Sequence, residues 1–254
     1  ELEKEIEGKG PTDIQKYLAD KTKALRVSLS RGKKIEEILP EALAVISLAF
    51  KYFEKSPIKG LPYAAQMLGA ILVARGGYIA QQQTGEGKSV TSAIAAYLKA
   101  LLSGTAGVHV ATANDALARK EMDEYGSVLS YLGITTGLVI QEMDAQDKRV
   151  AYRADVTYGE KHVFAFDWMG DRACASKGDR VQRGLGFAIG DEIDQMLIDD
   201  ATSPMVLSSG ADEDVSDADK TVLREVNNTV RSFLAEESGY FRERGEILPE
   251  DFKE

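Results

Sequence analysis

A short segment with two glycines and a Lys-Ser pair, residues 84–89, constrains the fold of this chain more than any other feature. It reads Thr-Gly-Glu-Gly-Lys-Ser, and the apolar run 77–80 precedes it. Residues 89–102 follow, with apolar positions at helical spacing and no Gly or Pro. This order predicts a strand, a loop and a helix. Successive backbone N–H groups in such a loop form a nest for phosphate, and the helix N-terminus adds the positive end of its dipole.

Two side chains of this segment have the chemistry of a nucleotide site. Lys88 supplies a mobile positive charge for the β and γ phosphates, and the Ser89 hydroxyl can bind Mg2+. The motif is imperfect, because Gln82 stands where the usual G-x-x-x-x-G-K-[ST] pattern has its first small residue. The alternative interpretation is a solvated glycine turn between a strand and a helix.

The rest of the chain alternates short β-rich runs with helical segments from residue 61 to about residue 210. Such alternation predicts an α/β fold with a mostly parallel sheet and helices on both faces. The predicted strands are 78–80, 108–112, 136–140, 156–158 and 186–191, and the helices between them include 114–132 and 161–173. We predict three parts: an N-terminal helical segment (1–60), a nucleotide-binding domain (61–210), and an acidic linker followed by a helix (211–254).

Composition narrows the function classes. A net charge of -10 argues against broad electrostatic capture of nucleic acid, which needs a basic footprint. The single cysteine, Cys174, excludes an internal disulfide and a cysteine-rich zinc site, and a reducing cytoplasm fits best. No apolar stretch reaches the roughly 18 residues of a membrane span. The first residue is Glu1 rather than Met, so we expect a fragment of a longer protein.

A second acidic motif follows the last predicted strand. Asp191 and Glu192 come directly after the apolar residues 187–189, at the carboxyl edge where ligands of such sheets bind. Asp191 could hold the Mg2+ that Ser89 also contacts, through water, while Glu192 orients or deprotonates the attacking water. The alternative is an acidic helix start, because Asp and Glu favour the first turn of any helix.

The identity of the base rests on Gln66. No Asn-Lys-x-Asp segment of the kind that reads guanine occurs after the loop. Gln66 lies one predicted helix before the loop, and its amide can donate to and accept from adenine at once. This favours ATP over GTP, with an ordinary helix glutamine as the alternative.

The motifs follow one another in the order of a known family. The chain resembles the first nucleotide-binding domain of SecA, the ATPase motor of bacterial protein export, from about residue 34 to residue 210. The segments that carry the resemblance are 39–42, 61–66, 83–89, 110–119, 154–159, 164–167 and 187–210.

The resemblance implies a RecA-like P-loop NTPase domain of the DEAD-like type. In this family two RecA-like domains sandwich ATP, and turnover drives an unfolded polypeptide through a membrane channel. It implies ATP or ADP and Mg2+ as ligands, with Gln66 reading adenine and Asp191 and Glu192 acting on metal and water. The implied phosphate cradle is Thr84, Gly85, Glu86, Gly87, Lys88 and Ser89.

Departures from the family pattern leave the function open. Ser89 replaces the usual threonine, and the segments 160–163, 169–171 and 200–204 differ from the family's motifs, with two arginines lost. Residues 211–254 are too few for a second motor domain, whose arginine would act on the γ phosphate. We therefore expect weak nucleotide binding and slow hydrolysis from this chain alone.

Three interpretations remain at this point. The first is a SecA-like motor whose partners are an unfolded preprotein and a membrane translocon, with peripheral membrane contact. The second is a SecA-derived, nucleotide-dependent interaction domain of a larger protein without export activity. The third is an RNA helicase, which the acidic balance weakens.

Overall fold

The computed structural model describes residues 2–102, 106–202 and 204–206. Its helices are α1 (Leu2–Ile6), α2 (Pro11–Ser30), α3 (Ile35–Tyr52), α4 (Ala64–Arg75), α5 (Lys88–Leu102), α6 (Asp115–Glu121), α7 (Ser127–Tyr131), α8 (Ala145–Tyr152) and α9 (Lys161–Ala173). Its strands are β1 (Val108–Thr112), β2 (Thr136–Val139), β3 (Val156–Glu160) and β4 (Phe187–Gly190). A π-helical turn, Met122–Gly126, joins α6 to α7, and a second one spans Gln195–Asp199.

The four strands form one parallel sheet in the order β2-β3-β1-β4. Val108 of β1 pairs with Val156 of β3 on one side and with Phe187 of β4 on the other. The predicted α/β class with a parallel sheet is therefore confirmed. Because all four strands run the same way, their carboxyl ends meet at one edge of the sheet, and Asp191 follows β4 at that edge.

The predicted strand at 78–80 is wrong. These residues form no strand, and the side chains of Tyr78 and Ile79 are 57% and 77% exposed. Gly76 and Gly77 both have positive φ, 80° and 73°, and turn the chain just before the run. A run of three residues becomes a strand only when a neighbour supplies a ladder of hydrogen bonds, and β4 pairs only with β1 in the described residues.

The N-terminal helices α2 and α3 pack on α5. Phe50 of α3 and Leu18 of α2 are fully buried in the main core. The hydroxyls of Thr22 and Tyr97 lie 3.0 Å apart inside this interface, which joins α2 to α5 by a buried hydrogen bond. α3 runs from Ile35 to Tyr52 with Pro40 inside it.

The proposed domain boundaries at residues 60 and 210 stay predictions, and the linker and helix expected in 211–254 lie outside the described residues. None of the helices in the described ranges combines the length and the apolar character that crossing a bilayer requires.

Candidate nucleotide-binding site

The glycine loop has the backbone that its sequence requires. Gly85 and Gly87 have φ of 88° and 81°, a region that residues with a Cβ rarely adopt, and α5 begins directly afterwards at Lys88. Glu86 closes the loop on itself: its N–H donates to the Gln83 carbonyl at 3.2 Å, and its carboxylate accepts from the Gln83 N–H at 3.0 Å. Thr84, Gly85 and Glu86 are exposed.

Gln66 is joined to this loop. Its side chain is only 6% exposed; Oε1 accepts from the Tyr63 N–H at 2.9 Å, and Nε2 donates to the Glu86 carbonyl at 2.8 Å. Gly87 lies against this amide, since a Cβ there would overlap Gln66 Nε2. The amide expected to read adenine therefore holds the glycine loop, and its oxygen is already hydrogen-bonded.

The acidic pair lies at the end of β4. The Asp191 N–H donates to the Ala111 carbonyl at 2.9 Å, which continues the β1–β4 ladder by one bond and fixes Asp191 at the sheet edge. Asp191 Oδ1 accepts from the N–H of Glu192 at 3.0 Å. Glu192 has φ of 52°, the one positive value outside glycine in the described residues. This conformation costs about 1–2 kcal/mol in a residue with a Cβ, and such strain often occurs at functional sites.

Lys88, Asp191 and Glu192 line one cavity of about 520 Å3. Residues 76–82 form one of its walls and residues 187–194 another. A volume of this order is typical of small-ligand pockets. The structure thus brings together three of the predicted site residues, whereas Gln66, Ser89 and residues 84–87 do not line this cavity.

Ser89 contacts a residue that sequence reasoning missed. Its Oγ donates to Oε1 of Glu121 at 2.9 Å, and Glu121 is only 7% exposed. Burial raises the pKa of Glu121 to about 7; the Ser89 hydrogen bond opposes this rise and the charge of Asp191 adds to it. Ala118 and Glu121 are the two buried residues of α6 and their spacing of three places both on one face, but from sequence alone an acidic side chain there reads as a surface residue.

The donor set fits Mg2+ if a nucleotide is present. In the described ranges, no group of three or more His, Cys, Asp or Glu side chains is arranged to hold a metal ion. Mg2+ is typically held by one or two protein oxygens together with phosphate oxygens and water. Ser89 and Asp191 offer oxygens of this kind. Both interact with Glu121: the Ser89 hydroxyl donates a hydrogen bond to its carboxyl group, and the charge of Asp191 raises its pKa.

Comparison with known proteins identifies the family. Residues 4–250 match the SecA DEAD-like domain. The protein translocase subunit SecA of Dichelobacter nodosus is 42% identical over 196 residues, covering 77% of this chain and 21% of that protein. The same subunit of Aromatoleum aromaticum is 38% identical over 239 residues, covering 94% of this chain and 24% of that protein.

The SecA of Clostridium novyi is 38% identical over 218 residues, which cover 84% of this chain and 25% of that protein. The chain thus spans a quarter or less of the length of these relatives. The match extends over nearly the whole chain and includes the glycine loop, α6 and the acidic pair after β4. This chain belongs to the SecA DEAD-like domain family.

Proposed function

We propose that this chain is the ATP-binding motor domain of a SecA-type protein translocase, and that ATP and Mg2+ bind between the glycine loop and the carboxyl end of β4. One observation carries the proposal: Lys88, at the first position of α5, lines the same cavity as Asp191 and Glu192. A cation behind two positive-φ glycines and two carboxylates at a parallel sheet edge is the arrangement that phosphoryl chemistry needs.

Each side chain has a separate task in this proposal. The N–H groups of residues 84–89 and the Lys88 ammonium group bind the β and γ phosphates. Ser89, and Asp191 through water, would hold Mg2+, which when bound would supply positive charge to the phosphate oxygens. Glu192 accepts a proton from the water that attacks the γ phosphate, and Gln66 hydrogen-bonds adenine with its remaining amide hydrogen.

The wider activity rests on the family. The relatives are named protein translocase subunits, so we propose an unfolded preprotein and a membrane translocon as partners and peripheral contact with the membrane. These partners belong to a protein about four times as long as the aligned segment. For this chain alone we expect nucleotide binding with slow turnover, because related motors need a second domain to supply an arginine to the γ phosphate.

A second candidate is a nucleotide-dependent interaction domain without export activity. One observation favours it. Two segments that depart from the family pattern, 160–163 and 200–204, contact each other: Lys161 Nζ lies 2.6 Å from Asp200 Oδ2, and this ion pair lowers the pKa of Asp200. The charges of Lys161 and Asp200 therefore pair with each other within the chain, instead of being left unpaired for contact with another domain.

Calorimetry with Mg2+-ADP and Mg2+-GDP tests the proposed site. We expect ADP to bind more tightly than GDP, and Lys88→Ala to weaken ADP binding about tenfold or more, because hydrogen bonds to charged groups contribute about 1.5–3 kcal/mol. Lys23→Ala is the matched control, since Lys23 is an exposed lysine on α2 and should leave binding unchanged. Equal binding of both nucleotides, or no loss in Lys88→Ala, contradicts the assignment.

The two candidates differ in their response to polypeptide. A translocase motor should show ATPase activity in the full-length protein that rises when unfolded polypeptide or acidic lipid is added. An interaction domain should bind nucleotide without this stimulation. Tight RNA binding at physiological salt would instead support a helicase.

A further inference from the structure

The hydrogen bond between Ser89 and Glu121 gives the serine hydroxyl a defined direction. A serine hydroxyl has one hydrogen to donate and two lone pairs to offer. At 2.9 Å the hydrogen is directed to Oε1 of Glu121. Ser89 also interacts with the Tyr125 hydroxyl by a side-chain hydrogen bond, and one lone pair is left for a further partner. A metal ion needs such a lone pair and is repelled by the hydrogen.

Glu121 is held in a setting that suits this task. It is the last residue of α6, and the π-helical turn Met122–Gly126 begins directly after it. Single π turns inside α-helices occur frequently at functional sites. Glu121 is only 7% exposed, so bulk water has little access to it. Water could replace the Ser89 hydroxyl as its hydrogen-bond donor only after a change in the surrounding structure.

The Tyr158 hydroxyl does not compete for this carboxyl group. Tyr158 is fully buried beside it, and the charge of Glu121 contributes to the raised pKa of that tyrosine. The Tyr158 hydroxyl nevertheless has no hydrogen-bond partner among the described residues. Within the described part of the chain, Ser89 is the side chain that donates to Glu121.

We propose that Glu121 is a positioning residue for Mg2+ at the nucleotide site, because it fixes the Ser89 hydroxyl with its hydrogen turned away from the metal and a lone pair turned towards it. The inference rests on the proposed function and adds a residue to it. Partners that orient a metal ligand in this way typically change metal affinity about 10–100-fold when they are removed. Glu121 acts through Ser89, so it has no effect of its own once the serine hydroxyl is gone.

The test measures the gain in ADP affinity that Mg2+ provides, as the ratio of dissociation constants in EDTA and in Mg2+, by calorimetry on the 254-residue chain. We expect Glu121→Ala to reduce this ratio about tenfold or more. Glu121→Gln keeps an acceptor oxygen of nearly the same shape and should retain part of the gain. In EDTA, both variants should bind ADP nearly as well as the unsubstituted chain. A general loss of folding would instead weaken ADP binding in EDTA as well.

The decisive comparison is made in a Ser89→Ala background. There, adding Glu121→Ala should change the ratio by less than about twofold, because the hydroxyl through which Glu121 acts is absent. Glu124→Gln is the matched control, because it removes a carboxylate three residues after Glu121 that makes no hydrogen bond to Ser89 in the structure. This variant should leave the ratio unchanged.

Three results would overturn the inference. They are an unchanged ratio in both Glu121 variants, an increased ratio in Glu121→Ala, and an equal effect of Glu121→Ala with and without Ser89. In each of these cases ADP still binds and the proposed function stands. If the unsubstituted chain binds no ADP with or without Mg2+, the proposed function fails and the role of Glu121 fails with it.

Discussion

His109 on β1 should make the stability of this protein fall as the pH is lowered. Its ring is 7% exposed and stacks on Phe164 with the ring centroids 4.9 Å apart, while Tyr152 packs edge-on at 5.6 Å. Burial lowers the pKa of His109 to about 4, and the positive charge of Arg183 adds to this effect. The folded protein therefore keeps His109 neutral at pH values where the unfolded chain protonates it.

The sign and size of the effect follow from linkage. Between the ordinary histidine pKa of 6.5 and the folded value of about 4, the unfolded state binds more protons, so the free energy of unfolding decreases as the pH falls. At about 1.4 kcal/mol per unit of pKa, the complete loss is about 3 kcal/mol. From pH 7.5 to pH 5.0 the His109 contribution alone should fall by about 2 kcal/mol.

His109→Phe isolates this contribution, because phenylalanine can still stack on Phe164 and cannot take a proton. Urea unfolding followed by circular dichroism at pH 7.5 and pH 5.0 gives the free energy of unfolding for both proteins. The free energy of unfolding of the unsubstituted protein should decrease by about 2 kcal/mol more than that of the variant. Groups that titrate in both proteins cancel in this comparison, including Glu121, whose raised pKa makes it stabilise the folded state as the pH falls. The reasoning is refuted if both lose the same amount within about 0.5 kcal/mol, or if the His109 ring titrates above pH 6 in native-state NMR.

Three further predictions concern packing and the loop. Gly137→Ala on β2 should cost about 1–3 kcal/mol in urea unfolding, because the new Cβ would lie 2.5 Å from a backbone carbonyl oxygen of α8; a change below 0.5 kcal/mol would contradict this. Asp167→Ala should cost about 3–5 kcal/mol, since it leaves Lys148, 12% exposed and 2.7 Å from Asp167, as an unpaired buried charge. The double variant Lys148→Met, Asp167→Leu should recover the part of that loss that comes from the unpaired lysine, and no recovery at all would place the cost on the Tyr152 hydroxyl, which donates to Asp167 at 2.7 Å and loses its acceptor in both variants. Gly87→Ala should weaken ADP binding more than Gly85→Ala, because both glycines have positive φ but only Gly87 would meet the glutamine amide of α4; equal losses in calorimetry would remove that contact from the explanation.

The central strands β1 and β3 could be predicted from the sequence because nearly all of their residues are buried. Val108, Val110 and Val156 are almost completely inaccessible, and continuous apolar runs of this kind are typical of parallel strands covered on both faces. The run 78–80 has a similar composition but depends on a neighbouring strand for its hydrogen bonds. Strand pairing is a property of the assembled sheet, so no local pattern could decide that case.

The site was partly predictable for a related reason. The positions of Lys88 and Asp191 follow from the backbone, since one begins a helix and the other ends a strand. The partners of Ser89 and Gln66 follow from side-chain packing between elements distant in sequence. A glutamate such as Glu121 also reads as a surface residue, because an acidic side chain is almost never buried without a partner. The assigned roles of Lys88, Ser89, Asp191, Glu192 and Gln66 stay predictions until binding is measured.

In the proposed site, the hydrogen bond from Gln66 to the Glu86 carbonyl couples adenine binding to the conformation of the glycine loop. If adenine takes a hydrogen bond from this amide, it acts on the group that also holds the loop, so the base and the phosphates of one nucleotide are not bound independently. Coupling of this kind is reciprocal. A ligand that has phosphates but no base, such as inorganic pyrophosphate, should therefore alter how Gln66 presents its amide, and a base without phosphates should alter how tightly the loop closes.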